Sequence, residues 1–406
     1  MPKKLPFLKV SGRKIIDEAG NPILLRGVAL GGWLMMEGYM TGGQNMAEQT
    51  FRAEFKKALG RDALDDFVRS YRNTYITEYD IKTIKRWGAN CIRIPFNYRL
   101  IEPENKSQGL NPEGLKYLDN AVKWCEKNSI YCILDMHAAP GSQNHDWHSD
   151  CAGKPKLFAS KSNRDLYYRL WHLLSSHYKN ISVIAGYDIL NEPVVPIADE
   201  PGVKDLYVKA TKEIRSVGDK HIIFLEGNLW AQRIKYLGKP SDLNTAYSIH
   251  VYPPLDFTFN FARDLRYPGK AEGEMWSKKK IEQMAKPYRA FIDRVKVPLY
   301  AGEFGVNARD GVYGENKWVK DVTDVFDKHD LHWTYWTYKT IANAVYPDGI
   351  YRYVKNPLWV NRQGPVSGWE TFRSLWKKER NKIIDSWRTE NFARNDKLLA
   401  VLKKYW

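Results

Sequence analysis

Two glutamates, Glu192 and Glu303, each stand at the end of a short apolar run, in the segments YDILNEP and YAGEFG. A pair of carboxylic acids can hydrolyse a glycosidic bond, because one protonates the leaving oxygen while the other attacks the anomeric carbon or activates a water. A separation of about 5–5.5 Å favours direct attack and retention of configuration, and a wider gap leaves room for water and gives inversion. The pair therefore predicts glycoside hydrolysis.

Other polar or aromatic residues stand at the ends of similar runs. They are Arg93 in RIPF, His137 in LDMH, Asn191 beside the first glutamate, Glu226 in FLEG, His250 and Tyr252 in HVYP, and Trp336 in the last run. An arginine and a tyrosine near Glu303 would lower the pKa of its carboxyl and keep it ionised as the nucleophile. The nearby charge of Glu303 would in turn keep Glu192 protonated as the acid.

Eight apolar runs rich in β-branched residues recur along the chain, and stretches of helical period separate most of them. The runs are ILLRGVAL, NCIRIPF, YCILDMHA, IAGYDIL, HIIFLEG, TAYSIHVY, PLYAGEF and LHWTYWTY. Eight strands alternating with helices favour a closed (β/α)8 TIM barrel over an open doubly wound sheet, since no glycine-rich nucleotide-binding motif follows any run. The carboxyl ends of barrel strands form the active face, so we expect the polar residues above to meet there.

The chain has 406 residues, of which 43% are hydrophobic and 27% charged, values typical of a globular protein and not of a disordered or fibrous one. We expect a β-hairpin near the N-terminus with a turn around Asp17 to Asn21, and one or two closing helices over residues 369–406. Because we find neither an internal repeat nor a linker, residues 1–406 are predicted to form a single catalytic domain.

Three connections of the predicted barrel are longer than usual. They cover about residues 33–73 after the first run, 139–163 after the third and 340–367 after the eighth, and the last contains Tyr346, Tyr351, Tyr353 and Trp359. Long aromatic loops on the active face would wall off an open cleft. We therefore expect a pocket that accepts one chain end, and exo-action.

The formal net charge of +16 and the 15 Trp, 25 Tyr and 15 Phe would suit nucleic-acid binding if the charges clustered, but Lys and Arg are scattered and we expect no nucleic-acid partner. The sequence has no signal-peptide-like or membrane-spanning run, which favours a cytoplasmic protein without a membrane partner, although a secreted protein that had lost its leader would look the same. Four cysteines without a CxxC pair indicate reduced thiols. Neither a metal nor a cofactor is predicted, and the oligomeric state stays open.

Five motifs occur in order at five predicted strand ends: RIPF, LDMH, YDILNEP, HVYP and GEFG. Together they resemble the family 5 glycoside hydrolases, the cellulase family, over most of the predicted barrel. RGVALGGWLMMEGY and HAAPGSQN are most similar to the exo-β-1,3-glucanase and β-glucosidase branches. The resemblance implies a TIM barrel and a retaining β-glycosidase that hydrolyses β-linked glucosides or oligosaccharides by double displacement, without a cofactor.

The resemblance also implies a role for each matching residue. Glu192 would be the general acid/base and Glu303 the nucleophile. The substrate-binding residues would be Glu37, Arg93, His137, Asn191, His250, Tyr252 and Trp336. Among them, Asn191 would hydrogen-bond the sugar 2-hydroxyl, Trp336 would stack on the sugar ring, and the arginine and tyrosine would hold the nucleophile.

The chain departs from the exo-glucanase branch in HDWHSDCAG and WTYWTYK, so β-mannosidase and endo-β-glucanase stay alternatives, as does a non-catalytic carbohydrate-binding barrel. In the first segment, a loop that presents Trp147 and His148 to a sugar and simple packing of the loop both stay open, and we favour either over a metal site at His145 and His148. Glu226 is either a third active-site carboxylate or a hydrogen-bonded partner behind the site. Lys339 is either a substrate contact or a surface residue.

Overall fold

A closed barrel of eight parallel strands forms the centre of the protein. The computed structural model describes residues 4–41, 43–103, 109–341, 344–352 and 369–406. In chain order the strands are β1 (Arg26–Ala29), β2 (Cys91–Asn97), β3 (Tyr131–Ala138), β4 (Ile184–Asp188), β5 (Ile222–Glu226), β6 (Thr245–His250), β7 (Leu299–Phe304) and β8 (His332–Tyr335). Each lies in one of the eight predicted runs, and β8 pairs with β1 to close the ring. The predicted (β/α)8 barrel is confirmed.

Helices surround this barrel and provide most of its crossovers. In the described residues they are α1 (Gly38–Thr41), α2 (Glu48–Leu59), α3 (Arg61–Thr74), α4 (Glu78–Trp87), α5 (Pro112–Lys127), α6 (Lys161–Tyr178), α7 (Glu200–Ser216), α8 (Asn228–Ala231), α9 (Leu255–Thr258), α10 (Lys278–Val295), α11 (Glu315–Lys328), α12 (Trp369–Ser386) and α13 (Asp396–Leu402). The β5–β6 crossover has only two short elements, α8 and the 3-10 turn Lys235–Leu237. Among the described helices, none has the length and apolarity needed to cross a membrane.

Local sequence signals explain where these helices begin and which face they bury. In α5, the side chain of Asn111 accepts a hydrogen bond from the N–H of Glu113, and Pro112 occupies the first turn, where its missing N–H costs nothing. Leu118 and Val122 then point at the barrel and are buried. Their spacing of four residues places both side chains on one face of the helix.

The barrel interior is built in two layers. The lower layer is apolar and consists of Ile15 from the N-terminal hairpin with Leu25, Cys91, Ile133, Ala185, Ile222, Phe224, Ala246 and Tyr300. Side chains two positions apart in a strand share a face, so Arg93 lies one layer above Cys91, and Asp135 one layer above Ile133. Both charged residues are fully buried. An apolar plug therefore supports a charged layer near the carboxyl ends of the strands.

The N-terminal segment forms the predicted turn around Asp17 to Asn21 and a further hairpin before it. Strands Lys9–Ser11 and Lys14–Ile16 pair directly, so the turn contains Gly12, whose φ of 60° is the positive value that such a tight turn requires. The predicted segment forms a second turn, in which the N–H of Asp17 donates to the carbonyl of Asn21 over 3.0 Å. Ile16 pairs with Pro22 across this turn in an antiparallel bridge, so the predicted turn is confirmed and the turn at Gly12 is an additional one.

The first long connection, residues 33–73, was expected to be a loop and is mostly helical. Helices α2 and α3 pack against α12, and Phe67 lies 5.1 Å from Trp376 between ring centroids. The segment over residues 369–406 forms two helices, as predicted. The apolar residues of α2 and α3 recur at helical period, which indicates helices. The sequence analysis overlooked this signal because it considered only the length of the connection.

The four aromatic residues of the third long connection do not share one place. Tyr346 reaches the barrel mouth. Tyr351 instead packs against Trp87, with ring centroids 5.7 Å apart, so it does not wall the mouth as expected. Tyr353 and Trp359 lie outside the described residues.

Lys339 is neither a substrate contact nor a surface residue. Its side chain is buried, and the ammonium donates to the carbonyls of Tyr75 and Trp387 and to the hydroxyl of Thr389. Burial lowers the pKa of Lys339 to about 8. The side chain ties the segment after β8 to α3 and to the segment that follows α12.

We predict that Lys339→Met lowers the free energy of unfolding by about 2–3 kcal/mol, because two buried carbonyls lose their donor. Denaturant unfolding followed by tryptophan fluorescence measures the loss. Lys397→Met is the control, since Lys397 is exposed on α13 and should change stability by less than about 0.5 kcal/mol. Equal unfolding midpoints for the two variants would contradict the structural role of Lys339.

Candidate active site

The two glutamates singled out from the sequence meet at the mouth of the barrel. One carboxylate oxygen of Glu192, one of Glu303 and a ring nitrogen of His250 all lie within 4.8 Å of one another. An inverting pair needs a separation of about 6.5–9.5 Å to admit a water, whereas a retaining pair sits at about 5–5.5 Å. The observed spacing suits direct attack by one carboxylate.

An irregularity in β7 aims Glu303 at the mouth. The register against both neighbouring strands shifts just after Ala301. In regular alternation, Tyr300 faces the interior and Ala301 the surrounding helices, so residue 303 would also face the helices. The shift breaks this alternation and brings the Glu303 carboxylate inside.

Glu192 is held by its backbone in an unusual conformation. Its φ is 45°, a left-handed value that costs a non-glycine residue about 1–3 kcal/mol. The side chain of Glu226 accepts its N–H over 2.6 Å, and the side chain of Asn144 donates to its carbonyl over 2.8 Å. Glu226 is fully buried, so it is the partner behind the site and not a third carboxylate of the pocket.

Both oxygens of Glu303 accept a charged or polar donor. The guanidinium of Arg93 donates to Oε1 over 2.6 Å, and the hydroxyl of Tyr252 donates to Oε2 over 2.7 Å. Burial raises the pKa of Glu303, but the charges of His250 and Arg93 outweigh it and the pKa falls below its usual value. Glu303 is therefore ionised at neutral pH.

Arg93 also contacts acids and an amide from neighbouring strands. Its guanidinium lies 3.1 Å from Asp135, 3.2 Å from Asp188 and 3.1 Å from Glu226, and it donates to Asn191 over 2.8 Å. Burial, opposed by the charge of Arg93, raises the pKa values of Asp135 and Asp188 well above their usual range. The contact to Asn191 orients its amide beside Glu192.

The two oxygens of Glu192 face two different histidines. Nδ1 of His250 lies 2.6 Å from Oε1, and Nε2 of His148 lies 3.4 Å from Oε2. Burial raises the pKa of Glu192, but these histidines outweigh it and lower the pKa. The sequence predicted the opposite, a Glu192 kept protonated by Glu303.

The histidine charges explain this correction. Burial alone would lower the pKa of His250, yet Glu226, Glu303 and Glu192 together raise it well above its usual range. These acids favour the protonated form of His250, and the histidine charges favour the ionised form of Glu192. The proton of the pair is therefore favoured on His250, whose Nδ1 lies one short hydrogen bond from the carboxylate.

A flat floor lies on the other side of the mouth. The rings of His137 and Trp336 stack with centroids 5.4 Å apart and an interplanar angle of 5°. Asp135 lies 2.8 Å from Nδ1 of His137, and the indole of Trp336 donates to Tyr39 over 2.7 Å. Burial lowers the pKa of His137 to about 3, so the ring is neutral.

Several buried polar atoms at the mouth have no hydrogen-bond partner among the described residues. They are Oε1 of Glu37, Nδ2 of Asn191, Nε1 of Trp147 and Nδ1 of His148. Burial raises the pKa of Glu37 to about 8, so its carboxyl is protonated at neutral pH. Unpaired buried polar groups are costly, and a polar ligand at the mouth would satisfy these four.

Glu37, Trp147 and His148 line a pocket of about 330 Å³ together with Glu192 and Glu303, within the range of about 300–1,000 Å³ typical of small-molecule sites. Its aromatic walls are Trp147, Trp230, Phe259, Phe261, Trp336 and Tyr346. The sequence analysis missed the two phenylalanines and Tyr39, because its filter considered mainly polar residues at strand ends. The aromatic run FTFNF after the sixth run was the overlooked signal.

The loops after β3 and β8 touch above the pocket. The rings of Trp147 and Tyr346 lie 5.4 Å apart at 70°. Strands β1 and β2 stand between β8 and β3 in the barrel, so this contact spans that arc of the mouth, where Glu37 lies. The mouth is thus walled on one side.

The donor groups do not suit a bound metal ion. Among the described residues, Glu192, His250 and Glu303 are the one set of side chains close enough to share an ion. The guanidinium of Arg93 lies 2.6 Å from the Glu303 carboxylate, and its charge opposes a second cation there. His145 is exposed on the surface, apart from His148 in the pocket, so the H-x-x-H spacing does not form a site.

Comparison with known proteins agrees with this geometry. The sequence profile of the cellulase family, glycosyl hydrolase family 5, matches residues 48–341. The chain is similar to a β-xylosidase of Phanerodontia chrysosporium, with 33% identity over 399 residues, which cover 96% of this chain and 80% of the relative. It also matches endoglucanase C of Acetivibrio thermocellus, at 29% identity over 63% of this chain and 81% of the relative.

A third relative is a glucan 1,3-β-glucosidase of Candida oleophila, at 30% identity over 47% of this chain and 48% of the relative. Among solved structures, an endoglucanase from Thermotoga maritima superposes with a TM-score of 0.62, at 18% identity and over 93% of this chain and 96% of that one. This last likeness concerns the fold alone. The profile match and the relative of 33% identity establish the family: the chain belongs to the cellulase family, glycosyl hydrolase family 5.

Proposed function

We propose that the protein is a retaining β-glycosidase that releases sugar from one end of β-linked glucosides or oligosaccharides, with residues 1–406 acting as one catalytic domain. The observation that supports it most is the spacing of the two carboxylates, within 4.8 Å. Glu303 would be the nucleophile and Glu192 the general acid/base. Their different partners support this division, since an arginine keeps Glu303 ionised and an imidazolium supplies Glu192 with a proton.

In the first step, the Glu303 carboxylate attacks the anomeric carbon, and the bond between that carbon and the leaving oxygen breaks. Glu192 gives the leaving oxygen a proton, which reaches it across the 2.6 Å hydrogen bond from His250. The products are the free alcohol and a glycosyl ester on Glu303. Arg93 and Tyr252 keep the nucleophile in place as its charge is consumed.

In the second step, a water attacks the anomeric carbon from the side that the alcohol left. Its proton passes to the Glu192 carboxylate, the ester bond to Glu303 breaks, and the proton then returns across the hydrogen bond to His250. Two displacements restore the original configuration. The Glu303 carboxylate is ionised again and accepts hydrogen bonds from Arg93 and Tyr252.

The remaining groups of the mouth would bind the reacting sugar. Trp336 offers a flat ring face on which a pyranose can stack. Glu37 and Asn191 hold unpaired polar atoms suited to sugar hydroxyls, and the resemblance assigns Asn191 the 2-hydroxyl. His137 and the indole of Trp147 would complete the polar contacts.

Contact between the loops after β3 and β8 supports exo-action. A sugar chain that extended beyond Glu37 would run into the Trp147–Tyr346 contact. Trp230 and Phe261, which also line the pocket, stay 42% and 52% exposed and form its open side. The leaving group would therefore depart toward the open side and only a chain end would fit.

A second candidate concerns the sugar itself. The relative that covers 96% of this chain is named a β-xylosidase. A β-xyloside lacks only the 5-hydroxymethyl group of a β-glucoside, and the pocket has room for either sugar. The catalytic proposal is the same for both.

We predict that Glu303→Ala lowers kcat on a nitrophenyl β-glycoside by about 10⁴-fold, because the covalent step is lost. Glu192→Ala should keep more activity on 2,4-dinitrophenyl substrates, which need little protonation. Adding azide to that variant should restore turnover and yield a β-glycosyl azide. NMR of the first-formed product from the unchanged protein checks retention, and an inverted product would contradict the scheme.

For Glu37, we predict that replacement by Gln is milder than replacement by Ala. The carboxyl has a pKa of about 8 and is protonated at pH 7, so a Gln amide reproduces one donor and one acceptor. We expect kcat/KM to fall about 10-fold for Glu37→Gln and about 100-fold for Glu37→Ala. Equal losses in the two variants would contradict hydrogen bonding by Glu37.

Finally, we predict that β-linked oligosaccharides lose monomers from one end. Free sugar should appear in proportion to bonds cut, while the viscosity of a soluble β-glucan stays almost constant. A panel of nitrophenyl β-glucoside, β-xyloside and β-mannoside ranks the sugars by kcat/KM. Viscosity that falls before free sugar appears would contradict exo-action.

A further inference from the structure

The carboxylate of Glu192 has a second partner, His148, which lies outside the five sequence motifs. His250, on β6, lies 2.6 Å from Oε1, which leaves Oε2 as the oxygen available to a ligand. Nε2 of His148 lies 3.4 Å from that second oxygen. His148 belongs to a short 3-10 turn, Trp147–Ser149, in the connection between β3 and α6. The two histidines thus flank Glu192 from different elements.

The loop that carries His148 is tied to Glu192 and to the far wall of the pocket. Asp146 lies 3.4 Å from Nε2 of His148 and accepts the indole N–H of Trp230 over 2.7 Å. The N–H of Asp146 donates to the side chain of Asn144 over 2.8 Å, and Asn144 in turn donates to the carbonyl of Glu192 over 2.8 Å. These hydrogen bonds therefore hold the loop that carries His148 in a fixed position relative to Glu192.

Acids dominate the surroundings of His148. Asp146 faces it from its own loop, Glu192 from the end of β4 and Glu37 from the segment after β1, while the neutral ring of His137 on β3 lies 5.8 Å away. Burial alone would lower the pKa of His148, but Asp146 and Glu192 outweigh it and raise the pKa to about 9. His148 is thus a cation throughout the neutral range.

We propose that His148 is a positioning residue for Glu192: anchored by Asp146, it holds Oε2 toward the glycosidic oxygen and stabilises the negative charge that develops as Glu192 gives up its proton. The inference rests on the proposed function, in which Glu192 is the acid. A cation beside the acid favours its ionised form and makes it a stronger proton donor. The effect matters most for leaving groups that need protonation.

His148→Gln removes the cation and keeps a polar side chain. The test compares pH profiles of kcat/KM on a methyl or disaccharide β-glycoside and on a 2,4-dinitrophenyl β-glycoside of the same sugar. The alkaline limb should move to higher pH, because the loss of a neighbouring positive charge raises the pKa of the proton that Glu192 shares with His250. The methyl or disaccharide substrate should lose about 10-fold more kcat/KM than the dinitrophenyl substrate.

Two further variants make the test specific. Asp146→Asn removes the anchor but keeps the imidazole, and it should move the limb in the same direction by less, which also provides the test if His148→Gln does not fold. His145→Gln is the matched control, since His145 is exposed in the same loop and should change neither quantity. Thermal unfolding of each variant verifies that the fold is intact.

The outcomes separate the two proposals. If the unchanged protein cleaves no β-glycoside, the proposed function fails and this inference fails with it. If it does cleave them, but a folded His148→Gln variant keeps the alkaline limb and loses kcat/KM equally on both substrates, the role of His148 is overturned while the proposed function stands.

Discussion

The buried guanidinium of Arg93 is the constraint on which the site depends. A charge with no exposure to solvent is tolerated only when it is paired and hydrogen-bonded. Arg93 meets this requirement through acids from several barrel strands, among them Asp188 on β4 and Glu226 on β5. The strand ends are therefore held together by one cation, and Glu303 is held in its ionised form by the same contact.

The different partners of the two glutamates explain how one pocket can hold both a nucleophile and an acid. Glu303 is bound by a guanidinium, which never gives up its proton, and by the Tyr252 hydroxyl. Glu192 is bound by the imidazole of His250, which, unlike a guanidinium, can give up its proton. Burial affects both carboxyls alike, but Nδ1 of His250 lies 2.6 Å from Glu192 and 3.6 Å from Glu303. The chemistry of the partners, more than distance alone, separates the two roles.

The catalytic groups and the walls that control access to them come from different parts of the chain. The charged layer and its apolar support belong to the barrel strands, which are fixed by hydrogen bonds on both sides. The aromatic walls come from loops after β3, β5, β6 and β8, which contact one another through rings such as Trp147 and Tyr346. Changes in these loops could alter the accepted substrate while the pair of acids stays in place.

The sequence by itself determined the eight strands and the residues at their ends, because strand period and strand-end position are local properties of the chain. It did not locate the hairpin turn at Gly12, the helices within residues 33–73 or the buried contacts of Lys339. Nor did it reveal that His148 and His250 share Glu192, which reverses the protonation expected of that carboxyl. Those features depend on distances between segments far apart in the chain, and only the closed barrel brings those segments together.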